Sequence, residues 1–415
     1  MSKIIVKKSG PLRGCVTCSG SKNAALPIMA ATILCGGVST LYNVPNLTDT
    51  NYMLSILEKL GAKCSFSKNC AVIDFTRCND FSVSCESVSK FRGSFFLAAP
   101  LLSRMGRARI CLPGGCPIGS RPIDLHLKGF AAMGASIENG HGFVDLSAKK
   151  LEGARIYLDF PSVGATENLI MAAVLADGET VIENAAAEPE IVDLAGFLNK
   201  QGAKISGMGS DTITIQGVSS LSPVSYTVIS DRIEAGTFMS AFAITGGKGT
   251  ITDINPLHLK PVTAKLVEMG AFVTESDDSI FIDATAPLSA SNIKTLPFPG
   301  FPTDMQAQFS ALLCETKGTG IIVETVFENR FLHIAELNRM GANIRIDGRS
   351  SVIEGERLLT GANVTAFDLR GGASLALAGL VAKGETEITG AEHIERGYED
   401  LCGKLSALGG NIFLA

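Results

Sequence analysis

The stretch TDTNYMLSILEKLGAKCSFS, residues 48–67, decides the fold. Met53, Leu54, Leu57 and Leu60 share one face at helical spacing, so the segment reads as an amphipathic helix. Thr48 or Asp49 is placed to cap its start. Gly61 stops it, because glycine enters the left-handed position at a helix end without steric cost. Two short strands follow. The closing phrase recurs as Met133-Gly134-Ala135, Gln201-Gly202-Ala203, Met269-Gly270-Ala271, Met340-Gly341-Ala342 and Leu408-Gly409-Gly410. From Gly61 onward the glycines are 73, 68, 68, 71 and 68 residues apart, a regularity that marks an internal repeat over almost the whole chain.

Each of the six units reads alike. An apolar helix comes first, as at 24–34, 307–314 or 374–381, and a glycine-rich turn stops it. A strand rich in β-branched residues follows (Thr180 to Ile182, Thr250 to Thr252), then a second helix and the repeat glycine. A chain of 415 residues exceeds one ordinary core, so the units divide into two α/β domains of three. The join falls near 220–230, where Ser219-Ser220-Leu221-Ser222-Pro223 breaks the pattern. The expected division is 21–228 against 1–20 plus 229–415. The first twenty residues complete the last domain, because the sixth unit stops short at residue 415.

Composition narrows the function. The chain is 46% hydrophobic with no Trp, which implies aliphatic cores rather than disorder. A net charge of −5 argues against a field that gathers nucleic acid, so any anionic ligand needs a local group of cations. The 11 cysteines form no framework and sit mostly in apolar runs, as buried thiols of a reducing compartment do. Cys15 and Cys18 have C-x-x-C spacing without a second pair, and the histidines lack ligand spacing, so no metal is expected. No phosphate-loop or dinucleotide glycine fingerprint implies a nucleotide cofactor, and none is expected. The N-terminus has no apolar signal core and no run has membrane-spanning length, which predicts a soluble, cytoplasmic protein with no membrane partner.

The repeat also locates the chemistry. Polar residues open the first helices: Lys22, Arg92, Ser162, Asp231 with Arg232, Asp304 and Arg370. A second set opens the second helices: Asp49, Arg121, Glu188, Arg330 and Arg396. Equivalent repeat positions occupy equivalent places, so these residues ring the helix N-terminal end of each domain, where unpaired N–H groups favour phosphate and carboxylate. An anionic substrate in a cleft between domains is the expectation. Ser21 or Asn23 alone would only cap a helix, and Asp304 alone would be an ordinary N-cap. The segment 112–122, LPGGCPIGSRP, is harder to read as inert. Its glycines and prolines shape an exposed loop, with Cys116 at the tip and Arg121 five residues on.

These segments resemble UDP-N-acetylglucosamine 1-carboxyvinyltransferases: SGSKNAALP at 19–27, LPGGCPIGSRPIDLH at 112–126, PSVGAT at 161–166 and ENAAAEPEIVD at 183–193. So do SDRIEAGTF at 230–238, FPTDMQAQF at 301–309, ETVFENRF at 324–331, DLR at 368–370 and RGY at 396–398. The resemblance covers the chain in order. It implies two inside-out α/β barrels, each of three βαβαββ repeats, and enolpyruvyl transfer from phosphoenolpyruvate to a UDP-sugar hydroxyl, the first committed step of peptidoglycan synthesis. By resemblance Cys116 donates a proton and can carry an adduct, and Asp304 is base or orienter at the sugar 3-hydroxyl. Lys22, Arg121 and Arg396 form the phosphate and carboxylate clamp, supported by Arg92 and Arg370, with Asn23 beside both substrates. The UDP moiety lies along Arg121, Pro122, Ile123, Asp124 and Leu125, with Ser162, Val163, Gly164 and Val326.

Ile123 replaces a Val of some relatives, and Phe160-Pro161 replaces a Lys-containing pair, which removes a cation near the uridine. Cys116, where some members carry Asp, implies sensitivity to fosfomycin, whose epoxide the thiol opens. The partners expected are the two small molecules, with no obligate protein partner. 5-Enolpyruvylshikimate-3-phosphate synthase ranks second, since its Lys22 and Cys116 segments differ. A six-repeat DNA clamp or non-catalytic scaffold ranks last, because the cations sit at helix starts beside Cys116 and Asp304.

Overall fold

The computed structural model describes residues 2–83, 92–112 and 123–415, with the Arg92 side chain excepted. The third repeat shows the common plan. Strand Arg155–Tyr157 leads through helix Val163–Ala173 to strand Glu179–Glu183. Helix Pro189–Lys200 then leads to strands Lys204–Ser206 and Thr212–Gln216. The first two strands are parallel, with Ile156 opposite Ile182, which requires a crossover helix between them. The others pair antiparallel, with Ile182 opposite Ile213 and Ile205 opposite Ile215. Six four-stranded sheets of this order, first-second-fourth-third, occur among the described residues. All six repeat glycines have positive φ. At Gly270, φ of 109° ends helix Lys260–Met269 in a conformation a side chain would strain.

The first helices are apolar or small on every side, which suits a central position rather than a surface one. Every residue of Arg232–Ile244 is buried, as are residues 306–314 and 370–380 of Gln306–Glu315 and Leu369–Val381. These three helices pack on one another. The sheets surround them, with strands such as Glu179–Glu183 burying alternate residues (Thr180 and Ile182), while second helices such as Thr48–Lys59 bury one face. This is an α/β barrel turned inside out.

The apolar core divides in two, one cluster running from Ala24 to Val228, the other joining Ile4 through Cys18 to Ile233 through Ile412. The chain accordingly forms two compact units, which among the described residues are 20–83, 92–112 and 123–229 in one, and 2–19 and 230–415 in the other. Truncating a fully buried side chain such as Leu377 to Ala would cost about 2–5 kcal/mol.

Three strands join sheets remote in sequence. Lys3–Lys7 completes the sheet of the sixth repeat, between Glu385–Thr389 and Asn411–Leu414. Arg13–Thr17 instead opens the fourth repeat, parallel to Lys248–Thr252. Ser225–Thr227 opens the first repeat, parallel to Val38–Tyr42.

The cap of Thr48–Lys59 differs from expectation. Leu47 is the N-cap, and the Thr50 hydroxyl accepts from its N–H at 3.0 Å while donating to the Pro45 carbonyl at 2.7 Å. Asp49 is thereby released from capping and faces Lys22 instead.

Candidate active site

Cys116, Arg121 and Pro122 lie outside the described residues, and Arg92 is described only as the start of the 3₁₀ helix Arg92–Leu97. The remaining expected residues fall into the two units.

In the unit of residues 20–229, Lys22 is the first residue of helix Lys22–Ala31. Ser21 caps that helix, its hydroxyl accepting from the Ala24 N–H at 3.3 Å, so Asn23 is not the cap. The Lys22 ammonium meets the Asp49 carboxylate at 3.4 Å, with both side chains largely buried. Ser162 likewise caps Val163–Ala173, accepting from the Ala165 N–H at 3.4 Å, so Val163 and Gly164 form a helix start. Ile123 precedes helix Asp124–Ala132, which carries Leu125 and His126. His126 ties the two helix starts together. Its Nδ1 lies 3.1 Å from the Asn168 amide nitrogen, and the same amide donates to the Gly164 carbonyl at 3.4 Å. An amide NH₂ only donates, so Nδ1 accepts and the ring is neutral. Burial agrees, pushing His126 down to about 4.

Two buried carboxyls of raised pKa had no role assigned in the sequence reading. Glu167, one turn into the helix capped by Ser162, is fully buried, and neither of its oxygens has a partner among the described residues. Burial, then the charges of Glu190 and Glu188, push it well above the carboxylate range. Asp193, which accepts from the Tyr226 hydroxyl at 2.8 Å, is pushed up to about 6 by burial. Neither position stands out in an apolar helical run.

In the other unit the contacts are denser. Asp304 lies in the 3₁₀ turn Thr303–Met305 that precedes Gln306–Glu315, and it is no N-cap. Its Oδ1 accepts from Arg330 Nη2 at 2.8 Å. Its Oδ2 accepts from Arg370 Nε and Nη2 at 3.3 and 3.1 Å. Arg370 is 1% exposed and Arg330 5%. Burial disfavours the charged Arg370 guanidinium, but Tyr398 and the Asp304 and Asp231 carboxylates outweigh it and raise its pKa above the ordinary value. Arg370 follows Asp368, whose carboxylate caps Leu369–Val381 by accepting from the Arg370 and Gly371 N–H groups at 2.9 Å each.

Arg330, a repeat position without an assigned role in the sequence reading, is thus half of the Asp304 clamp. Its Nη1 donates to the Thr303 hydroxyl at 2.9 Å, which donates to Glu324 Oε2 at 2.8 Å. Glu324 Oε1 accepts from the Val326 and Phe327 N–H groups at 2.8 and 3.1 Å and so shapes the loop that carries Val326. Arg396 does not open a helix. The second helix of this repeat is broken into Ala391–Ile394 and Leu401–Ala407, and Arg396 sits in the turn between them. Asp400, at φ 52°, caps the later piece by accepting from the Gly403 N–H at 3.0 Å, which explains the break.

Cys314 is pushed up to about 12 by burial, so this thiol is unreactive. Among the described residues no group of three or more His, Cys, Asp or Glu is placed to hold a metal ion, and no helix is long and apolar enough to cross a membrane.

Residues 6–405 match the family model described as EPSP synthase (3-phosphoshikimate 1-carboxyvinyltransferase). UDP-N-acetylglucosamine 1-carboxyvinyltransferase 2 of Carboxydothermus hydrogenoformans is 55% identical over 99% of both chains. UDP-N-acetylglucosamine 1-carboxyvinyltransferase 1 of Caldanaerobacter subterraneus subsp. tengcongensis is 54% identical over the same shares. Among solved structures, the enolpyruvyl transferase NikO from Streptomyces tendae superposes with a TM-score of 0.90 at 26% identity, covering 100% of this chain and 99% of that one. EPSP synthase from Acinetobacter baumannii superposes at 0.76 with 19% identity and full coverage of both, a likeness of fold. The chain belongs to the enolpyruvyl transferase family of EPSP synthase, among relatives named UDP-N-acetylglucosamine 1-carboxyvinyltransferase.

Proposed function

We propose that the protein transfers the enolpyruvyl group of phosphoenolpyruvate to the 3′-hydroxyl of UDP-N-acetylglucosamine and releases phosphate, as the first committed step of peptidoglycan synthesis in the cytoplasm. The observation that carries this reading is the Asp304 carboxylate gripped by two buried arginines, in a chain 54–55% identical to relatives named for that reaction.

The acceptor oxygen forms a bond to C2 of phosphoenolpyruvate while C3 takes a proton, giving a tetrahedral adduct. The C2–O bond to phosphate then breaks and a C3 proton leaves, restoring the double bond. Asp304 orients the acceptor hydroxyl. A carboxylate accepting from two guanidiniums is a weak base, so it takes the proton only as the C2–O bond forms and the hydroxyl becomes strongly acidic. Arg370, Arg396, Lys22 and Arg121 hold the phosphate and carboxylate of phosphoenolpyruvate, with Asn23 alongside and Arg92 in support. Preorganised cations stabilise the charge that develops in the transition state. The Cys116 thiol, with a reference pKa of ~8.5, keeps a proton at neutral pH to deliver to C3. The nucleotide lies along 121–125 and the helix start 162–164, whose free N–H groups suit a diphosphate, and the sugar reaches Val326.

The test is phosphate release from phosphoenolpyruvate with UDP-N-acetylglucosamine or shikimate-3-phosphate as acceptor, for wild type and Cys116→Ala. Release with the UDP-sugar alone, lost in the variant, supports the reading. Release with shikimate-3-phosphate moves the substrate, and release with neither acceptor overturns catalysis.

A further inference from the structure

Behind Arg370 lies a polar group that the reaction as outlined does not use. Tyr398 is 3% exposed, and its ring lies under the Arg370 guanidinium, 5.1 Å from carbon to centroid. Its hydroxyl is 2.9 Å from the Thr237 hydroxyl, and Gln308 Nε2 donates to both oxygens at 3.1 Å. Thr237 commits its own proton to the Ile233 carbonyl at 2.8 Å. The proton between the two hydroxyls therefore belongs to Tyr398, which donates to Thr237 and accepts from Gln308. Both bonds fix the ring from two of the central helices, Arg232–Ile244 and Gln306–Glu315, and the guanidinium rests on it as a cation on a π-face. Arg370 in turn has a third nitrogen, Nη1, that is buried and without a partner among the described residues.

We propose that Tyr398, locked by Thr237 and Gln308, is a positioning residue that holds Arg370 in the orientation in which Nε and Nη2 grip Asp304 and Nη1 is kept for an anionic oxygen of the substrate. Tyr398 touches no reacting atom. It acts through Arg370, and the inference rests on the transfer reaction proposed above.

Tyr398→Phe keeps the ring and removes the anchor. Loosened positioning is expected to lower kcat/KM for phosphoenolpyruvate about tenfold while KM for the UDP-sugar stays within about twofold. Thr237→Val, which leaves the Tyr398–Gln308 bond, is expected to lose about threefold. In the double variant with Arg370→Lys, the Tyr398 loss disappears, because both changes act on one group. Calorimetric binding of phosphoenolpyruvate is measured alongside and is expected to weaken about tenfold in Tyr398→Phe. This readout judges Tyr398 even if wild type releases no phosphate, an outcome that would sink the transferase reading instead. Unchanged binding and kinetics in Tyr398→Phe, losses strictly additive with Arg370→Lys, or losses that merely follow a fall in Tm would overturn the positioning role.

Discussion

The two units use the same repeat position in opposite ways. In residues 20–229 the first helices of the first and third repeats begin at hydroxyls, Ser21 and Ser162, which satisfy one N–H each and bring no charge. In the other unit two of the three begin at carboxylates: Asp231 accepts from the Ile233 and Glu234 N–H groups, and Asp368 from those of Arg370 and Gly371. A neutral cap leaves the positive helix end available to an anion, whereas a charged cap consumes it. In the proposed reaction, anion binding in the second unit therefore falls to arginine side chains, and there two buried guanidiniums converge on Asp304.

The largest effect should come from breaking the charged side. Asp304→Asn keeps an acceptor but removes the charge and is expected to lower kcat by roughly 10²–10³, read as initial phosphate release with KM values changed far less. It also removes the carboxylate that two buried arginines share, so a thermal melt should show a loss of about 3 kcal/mol. On the neutral side, Lys22→Met should raise KM for phosphoenolpyruvate by about tenfold or more, with Asp49 left without that cation. Ser162→Asp sharpens the comparison. It turns a neutral cap into a charged one of equal capping strength, so Tm should hold while KM for the UDP-sugar rises roughly threefold to thirtyfold.

The smallest effect is on stability against pH. Glu167 is raised in the folded state, chiefly by burial, so folding takes up a proton above the unfolded value and stability falls as pH rises from there toward the folded value. Glu167→Gln should flatten that slope and raise Tm at pH 8 by roughly 2–4 °C while leaving Tm at pH 4 nearly unchanged. His126 and His333, both lowered to about 4 by burial, act the other way: stability rises with pH from about 4 to the unfolded value near 6.5, a slope that wild type and Glu167→Gln share.

Much of this was legible because it is local. The repeat glycines, the apolar first helices and the polar residues at their starts are short patterns tied to backbone geometry. Pairing across the chain was not. Nothing near residues 13–17 says that they belong with 248–252 rather than with 3–7, since register is settled by partners hundreds of residues away. The Asp304 clamp was half legible. Three of its members sit at repeat positions, but the pairing of Asp304 with Arg330 and Arg370, rather than with its own helix, depends on the turn at Thr303–Met305. Glu324 and Tyr398 lie inside segments that carry the family resemblance, ETVFENRF and RGY, but nothing in those segments says what their side chains touch.

The remote strand pairings set a timetable for a nascent chain. Residues 20–229 contain every strand of their three sheets and can close as they leave the ribosome. The other unit cannot. Its strand Lys3–Lys7 emerges hundreds of residues ahead of its neighbours at Glu385–Thr389 and Asn411–Leu414. That strand must stay unpaired until they are made, exposing Ile4, Ile5 and Val6 that end up buried. The half of the molecule that holds Asp304 is therefore the half that most needs protection while it waits.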